Sequence, residues 1–189
     1  MTEFDEKIVF ATNNLHKLEE LRAIAGEAAK FVLPPVGFDP IENGDTFEEN
    51  ALIKAREAAR LSGKPALADD SGLCVSALGG APGVHSARYA DTAQASIDRL
   101  LKELEPYEDR SAKFVCVMTL VDADGEILFT ACGECHGQIA KTQSGTNGFG
   151  YDPVFIVDGT GKTMAEMSEE EKNQISHRGR AVRKILENE

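Results

Sequence analysis

The spacing of apolar residues in the first part of the chain predicts alternating strands and helices. Residues 7–12 contain a short apolar run that is typical of a buried strand. Apolar residues then recur at helical spacing over residues 15–25, and a second short run at 31–33 predicts another strand. A second helix is expected from Thr46 to about Ser62. This order of elements indicates an α/β protein.

The middle of the chain predicts a strand that closes on acidic residues, followed by a loop and a helix. Residues 66–68 are apolar, and Asp69 and Asp70 come directly after them. Glycines at 79–83 indicate a loop, and apolar positions over residues 93–104 keep the spacing of a third helix. The two aspartates are therefore expected at the C-terminal end of the strand.

The last third of the chain predicts a β-hairpin and two short helices. Residues 114–121 are nearly all apolar, which favours a central strand covered on both faces. Asp124 and Gly125 form a hairpin turn, and residues 126–139 return as the partner strand. Helices are expected from about Ser168 and over residues 179–186. The hairpin makes the expected sheet a mixed one.

Composition and charge narrow the class of protein. The chain has 189 residues, of which 42% are hydrophobic, so one domain of ordinary size, in one or two lobes, is expected. A net charge of −12 argues against a nucleic-acid-binding protein. It does not argue against a phosphate ligand, because a few lysines and a divalent cation can form a local positive pocket.

Neither a membrane segment nor an exported protein is expected. No stretch approaches the roughly 20 apolar residues that cross a bilayer. The opening residues, MTEFDEK, are acidic and lack the apolar core of a secretory signal. The sequence therefore predicts a cytoplasmic location without contact to membranes.

Polar residues at the turn from the first strand to the first helix favour a polyphosphate site. Thr12, Asn13, Asn14 and Lys17 lie there, where the first backbone N–H groups of a helix are unpaired and the helix dipole is positive. The same residues also fit ordinary helix capping, with Lys17 on the solvated surface. Both interpretations stay open from the residues alone.

Several acidic side chains are candidates for a metal site. Mg²⁺ prefers one or two carboxylates, together with waters and substrate phosphates. Adjacent residues on a strand point to opposite faces, so Asp69 and Asp70 should not both reach one metal unless the strand has ended, and Asp70 is favoured because it lies nearer the loop. Glu49 also fits a capping box. The candidate carboxylates are Glu42, Glu48, Glu49, Asp69 and Asp70.

Two later segments carry side chains that could contact the base of a nucleotide. Glycines on both sides of Phe149 let the backbone approach a ligand, and an exposed aromatic ring can stack on a base. A tight turn packed by its own Phe149 and Tyr151 is the alternative. Lys172, His177 and Arg178 bring three donors to one helix–turn junction, although an ordinary solvated surface would show the same pattern.

One further motif is rejected. Cys132, Cys135 and His136 match the covalent haem-attachment pattern, and a CxxC pair also occurs in zinc sites. The chain has no export signal and no second CxxC pair, and the motif falls in an expected strand. The cysteines are therefore expected to be thiols.

Taken together, the motifs carry a family resemblance. FATNNLHK, GDTFEENA, ADDSGL, GAPGVHSARYA, GFGYDP and EEKNQISHR occur in this order. The whole closely resembles the inosine/xanthosine triphosphate pyrophosphatase family, over residues 7–186. The resemblance implies an elongated α/β fold with a mixed central sheet flanked by helices, and two lobes with an active-site cleft between them. It also implies a single catalytic domain over residues 1–189, a homodimer and a Mg²⁺ requirement.

The resemblance also implies roles for individual residues. Asp70 is implied as the general base and, together with Glu42, as a metal ligand, and Lys17 is implied as a catalytic residue that binds the triphosphate. Ser71 is an implied substrate contact. Asn13 stands where many members have glycine, which matters only if the backbone there needs a positive φ. The other implied substrate contacts are Thr12, Asn13, Asn14, Phe149, Gly150, Tyr151, Asp152, Lys172, His177 and Arg178.

The expected activity is hydrolysis of non-standard purine nucleoside triphosphates, such as ITP, dITP and XTP, to the monophosphate and pyrophosphate. Water would attack the α-phosphorus, and donors near His177 and Arg178 would pair with the oxygen at position 6 of the purine. The rival interpretations are a nucleotide-binding protein without turnover, a pyrophosphatase for other modified nucleotides, and a redox protein built on Cys132 and Cys135.

Overall fold

The computed structural model describes residues 7–26 and 30–187, which form a six-stranded sheet and five α-helices. None of these helices is long and apolar enough to cross a membrane. The strands are β1 Ile8–Phe10, β2 Phe31–Val32, β3 Ala66–Val75, β4 Ser111–Val121, β5 Ile127–Ile139 and β6 Phe155–Val157. The helices are α1 Leu15–Ala25, α2 Phe47–Ser62, α3 Ala93–Glu103, α4 Glu169–Ile175 and α5 His177–Glu187.

The sheet is mixed, as the sequence predicts. Its strand order is β2-β1-β3-β4-β5-β6. β1 pairs in parallel with both β2 and β3, whereas β6 runs antiparallel to β5. A tight turn over residues 122–126 joins β4 to β5, and its Gly125 has a φ of +86°, a conformation that favours glycine. The predicted α/β class and hairpin are therefore confirmed.

Helix α2 shows how local sequence sets one of the elements around the site. The Thr46 hydroxyl accepts the Glu49 N–H, and the Glu49 carboxylate accepts the Thr46 N–H, which completes a capping box. Gly63 ends the helix in the left-handed conformation. Glu49 is thus used at the start of the helix. One face of α2 is buried, and it consists of Asn50, Ala51, Lys54, Ala55, Ala58 and Ala59.

The chain divides into two compact units, in agreement with the two lobes that were predicted. The first unit comprises the described residues of Met1–Asp70, Cys116–Gly133 and Arg178–Glu189, and the second comprises Ser71–Val115 and Glu134–His177. In the first unit, one apolar cluster joins β1 and β3 to α1 and α5, and another joins them to α2. The second unit has its own core around α3. The single catalytic domain over residues 1–189 stays a prediction.

Strand β3 corrects one prediction. The sequence placed Asp69 and Asp70 at the end of a strand, but β3 continues to Val75. The strand extends because Leu73 and Val75 are fully buried in the core of the second unit, so apolar side chains resume after the acids. Asp69 and Asp70 are mid-strand residues as a result.

Two other local predictions were incomplete. Short 3-10 turns, Ser76–Leu78 and Gly83–Arg88, flank the glycine-rich loop. Strand β6 was not predicted, because its three residues are too few to show a period.

Candidate active site

The alternation of side chains along β3 determines the environment of the two aspartates. Leu67 belongs to the apolar cluster with α1 and α5, whereas Ala66 and Ala68 belong to the cluster with α2. Because side chains alternate along a strand, Asp69 faces α1 and α5, and Asp70 faces α2. The sequence-based expectation that the two carboxylates point apart therefore holds.

Asp69 is the centre of a buried ionic group, which we call the Asp69 cluster. The Lys17 Nζ lies 3.1 Å from Oδ1 and 3.0 Å from Oδ2 of Asp69. The Arg178 Nη2 donates to Oδ2 at 3.2 Å, and its Nη1 donates to Glu20 on α1. Asp69 and Arg178 are almost completely buried. Both oxygens of Asp69 are thus occupied by cationic donors.

The ionisation of Asp69 follows from this geometry. Burial alone would raise the pKa of the carboxyl, but the ammonium of Lys17 and the guanidinium of Arg178 outweigh it and hold the pKa well below its usual range. Arg178 stays protonated because Asp69 and Glu20 raise its pKa despite burial. The arrangement makes Asp69 a positioning residue that fixes the ammonium of Lys17.

Asp70 belongs to a second ionic group, the Asp70 cluster, formed with Glu42 and Lys54. The Lys54 Nζ lies 3.2 Å from Oε2 of Glu42 and 3.4 Å from Oδ1 of Asp70. Its ammonium therefore lies between the two carboxylates. Lys54 is also buried, with 7% of the residue exposed. Oδ2 of Asp70 is buried and has no hydrogen-bond partner among the residues that the structure describes.

The Asp70 carboxyl is more basic than an ordinary one. Burial raises its pKa, and Lys54 and Lys17 lower it only in part. The pKa of Lys54 is raised as well, since Asp69, Asp70 and Glu42 outweigh the effect of its burial. Asp70 therefore combines an open oxygen with a raised affinity for protons, the two properties that a general base needs.

The Asp70 cluster fits a magnesium ion that is shared with a substrate. Within residues 7–26 and 30–187, no three His, Cys, Asp or Glu side chains gather so as to hold a metal ion by themselves. Mg²⁺ in phosphate-processing sites needs only one or two carboxylates, with waters and phosphates as the remaining ligands. Glu42 and Asp70 meet at one ammonium, and Asp70 has an oxygen to spare, so this donor set is adequate.

The N-terminal turn shows the helix capping that was one of the two sequence interpretations, and the polyphosphate site stays a prediction. The Thr12 hydroxyl accepts the Asn14 N–H at 3.0 Å, and the Asn14 side chain caps the first turn of α1. Capping is therefore confirmed, and it presents Lys17 to Asp69. Asn13 is exposed, and no described non-glycine residue has a positive φ. Asparagine in place of glycine thus introduces no backbone strain.

In the second unit, Asp152 holds the loop of residues 148–152 together. Its Oδ2 accepts the Phe149 N–H at 3.0 Å and the Lys172 Nζ at 2.8 Å. Gly148 has a φ of +72°, and a Cβ there would lie 2.0 Å from this same oxygen. The Lys172 Nζ also lies 4.7 Å from the Phe149 ring centroid. Asp152 and Lys172 are both buried, so the carboxylate orients Phe149 and Lys172.

Tyr151 fixes the same loop from its buried side. Its side chain is buried, and its hydroxyl donates to the Ser86 carbonyl at 2.8 Å. Phe149 and Gly150 are half-buried. The tight-turn interpretation holds for Tyr151, which packs inside the molecule, whereas Phe149 is only partly covered.

The three donors expected at one junction occupy different environments. Lys172 contacts Asp152, and His177 stacks on Phe114 with centroids 4.7 Å apart and an interplanar angle of 13°. Arg178 belongs to the Asp69 cluster, so it would have to leave Asp69 and Glu20 to reach a base. Ser71 follows Asp70 on β3 and is half-buried. The roles of these residues toward a substrate stay predictions.

Sequence reasoning missed Lys54 and Glu20. Lys54 is the one cation in the buried face of α2, and a lysine within an otherwise small, apolar helical stripe is the signal that could have found it. Glu20 lies three positions after Lys17 on α1, but nothing in its spacing indicates its partner Arg178, which is remote in sequence.

Cys132 and Cys135 lie on opposite faces of β5, because an odd number of positions separates them. Cys135 is buried in the core of the second unit. The strand geometry therefore does not direct the two thiols to one metal or haem.

The whole chain matches one protein family. The model of the Ham1 family matches residues 8–188. A dITP/XTP pyrophosphatase of Prochlorococcus marinus is 48% identical over 181 residues, covering 95% of this chain and 90% of that protein. A dITP/XTP pyrophosphatase of Symbiobacterium thermophilum is also 48% identical, with 96% and 94% covered.

Solved structures agree with this match. A HAM1 protein from Coxiella burnetii superposes with a TM-score of 0.88 at 42% identity, and 96% of this chain and 97% of that one are covered. The Staphylococcus aureus Ham1 protein gives a TM-score of 0.85 at 41% identity, with 97% of each chain covered. The chain belongs to the Ham1 family, and the resemblance that its motifs carry is confirmed.

Asp69→Asn tests the positioning role of the buried carboxylate. The variant leaves Lys17 and Arg178 without their shared counter-charge, so the free energy of unfolding at neutral pH should fall by about 3–5 kcal/mol. Urea denaturation measures it. Asp39→Asn, at an exposed aspartate of the same unit, should change stability by no more than about 0.5 kcal/mol.

The pH dependence of the same experiment has a defined sign. Because the folded pKa of Asp69 is depressed, its stabilisation is complete above the pKa of an unfolded aspartate, about 4, and is lost as the pH falls below that value. The difference between wild type and Asp69→Asn should therefore begin to narrow below about pH 5 and continue to narrow as the pH falls toward the depressed pKa of the folded protein. Equal stability of the two proteins at neutral pH would refute the positioning role.

Proposed function

We propose that this chain hydrolyses non-standard purine nucleoside triphosphates, such as ITP, dITP and XTP, to the monophosphate and pyrophosphate with the help of Mg²⁺. Membership of the Ham1 family supports this, as do relatives named dITP/XTP pyrophosphatase at up to 48% identity. The observation that carries the proposal is the buried Asp70, which contacts the buried Lys54 and whose Oδ2 has no partner among the described residues.

The two lysines of the first unit supply positive charge for the triphosphate. Lys17 is held by Asp69 and Lys54 by Glu42 and Asp70, so both ammonium groups are oriented before a ligand arrives. A fixed cation stabilises charge that develops on a leaving pyrophosphate without reorganising during the reaction. The hydroxyl and amide at Thr12 and Asn14 order the turn that carries Lys17.

Glu42 and Asp70 are the residues that would hold the metal ion. When bound there, Mg²⁺ would neutralise negative charge on the phosphate oxygens. Asp69 takes no part in this, because both of its oxygens already accept from Lys17 and Arg178.

Asp70 is the proposed proton acceptor for the attacking water. Its Oδ2 is buried and has no hydrogen-bond partner among the described residues, so it needs a donor. A water that donates to this oxygen would satisfy a buried acceptor and be oriented for attack on the α-phosphorus.

The loop of residues 148–152 is the proposed binding site for the purine base. Phe149 would stack on the purine, and the Lys172 ammonium beside it would donate to an oxygen at position 6. Adenine presents an amino group there, and a buried donor that faces another donor costs on the order of 1–3 kcal/mol. His177 and Arg178 remain proposed contacts to the base, as does Ser71 to the substrate. The homodimer and the cytoplasmic location stay predictions from the sequence.

The Asp152→Asn variant tests the proposed binding site for the purine base. The substitution removes the buried charge that holds Lys172, so KM for ITP should rise by about tenfold or more while kcat falls less, because the chemical step uses other residues. Steady-state kinetics measure both constants. Asp158→Asn, at an exposed aspartate of the same unit, is the matched control. Unchanged KM in Asp152→Asn would exclude this role.

Pyrophosphate release tests the activity itself. ITP should be cleaved in the presence of Mg²⁺ at a kcat/KM at least about tenfold above those of ATP and GTP, and removal of Mg²⁺ should abolish release. Asp70→Asn should fold and lose about a hundredfold or more of kcat. Tight nucleotide binding without release from wild type would instead indicate a binding protein. Near-normal turnover in Asp70→Asn would show that Asp70 is not the base.

A further inference from the structure

The Asp70 cluster contains its own cation. The Lys54 Nζ lies within 3.4 Å of both Glu42 and Asp70, the same two carboxylates that are proposed to hold Mg²⁺. A divalent ion shared by these carboxylates needs the space between them, which this ammonium occupies. Lys54 and a divalent cation are therefore competitors for one position.

Lys54 is held firmly in that position. It lies in the middle of α2, within the buried face that packs on the sheet, and the capping box fixes the start of the helix. Only 7% of the residue is exposed, and its ammonium contacts carboxylates from two different parts of the chain. The ammonium cannot be displaced into water without uncovering a buried charge, which is costly.

The charges of the cluster explain what a nucleotide would change. Two carboxylates and one ammonium leave a net charge of −1, a weak attraction for a divalent cation compared with two uncompensated carboxylates. A triphosphate brings several negative charges, which give Lys54 an alternative partner close by. Binding of the phosphates would thus release the carboxylates at the moment when the metal is needed.

We propose that Lys54 is an internal counter-ion that keeps Glu42 and Asp70 from binding a divalent cation tightly until a nucleoside triphosphate is bound. This inference rests on the metal site of the proposed function. It implies that the cation and the nucleotide bind cooperatively, each raising the affinity for the other. In cells that contain abundant free Mg²⁺, the enzyme would then take up the metal together with its substrate.

Mn²⁺ binding to the nucleotide-free protein tests the inference, with isothermal titration calorimetry as the readout and no turnover involved. Lys54→Met keeps the length of the side chain and removes its charge, so Mn²⁺ should bind at least about tenfold more tightly than to wild type. Lys54→Gln is a second neutral variant in case the first does not fold. Lys64→Met, at an exposed lysine just after α2, should bind Mn²⁺ as wild type does. Lys54→Arg keeps the positive charge and should not show the tighter Mn²⁺ binding of the neutral variants.

A double variant tests whether the tighter Mn²⁺ binding of Lys54→Met depends on Glu42. In Glu42→Gln/Lys54→Met the tighter binding should disappear, because one of the two ligands is gone. If the neutral variants fold and bind Mn²⁺ no more tightly than wild type, the counter-ion role is wrong. If the gain persists in the double variant, the added ion binds elsewhere, and the inference is overturned in the same way.

A separate titration distinguishes failure of this inference from failure of the proposed metal site. Mn²⁺ is added to wild type and to Glu42→Gln in the presence of a non-hydrolysable ITP analogue. Weaker binding to Glu42→Gln supports the site, and the Lys54 results then decide the counter-ion role alone. Equal Mn²⁺ binding to the two proteins would show that Glu42 is not a metal ligand. The proposed metal site and the counter-ion role of Lys54 would then both be wrong.

Discussion

The alternation of side chains along β3 is the constraint on which the rest of the site depends. Two adjacent carboxylates must face opposite sides of the sheet, so each requires its own cation. Asp69 meets Lys17 and Arg178, and Asp70 meets Lys54. One acid is thereby used to position a lysine, and its neighbour keeps an oxygen for chemistry. A strand that ended at these acids, as the sequence suggested, would not impose this division.

The surroundings of the two buried acids shift their pKa values in opposite directions. Burial alone would raise the pKa of both carboxyls. At Asp69 the two neighbouring cations outweigh burial and the pKa falls, whereas at Asp70 burial outweighs the lysines and the pKa rises. The same residue type thus has a lowered pKa at one position of the strand and a raised pKa at the next. The loop of residues 148–152 shows a similar arrangement, since the buried Asp152 orients Lys172 and Phe149.

Much of this could be predicted from the sequence, and the physical reasons for the rest are specific. Helical periodicity and caps located α1 and α2, and motif order identified the family. Lys54 was missed because a lysine is usually read as a surface residue, although it lies in a stripe of buried alanines. The contact of Arg178 with a purine base stays a prediction. Its contacts with Asp69 and Glu20 were not predicted, because they join parts of the chain that no local pattern relates.

The most direct test of the account is the position of Mn²⁺ in crystals grown with a non-hydrolysable ITP analogue, located by anomalous scattering. The account predicts a peak within coordination distance of Glu42 and Asp70. It also predicts that Asp69 keeps its contact with Lys17, and that Lys54 has moved from the carboxylates to the phosphates. A peak bound to Asp69, or a Lys54 ammonium still between Glu42 and Asp70 with the metal elsewhere, would contradict it.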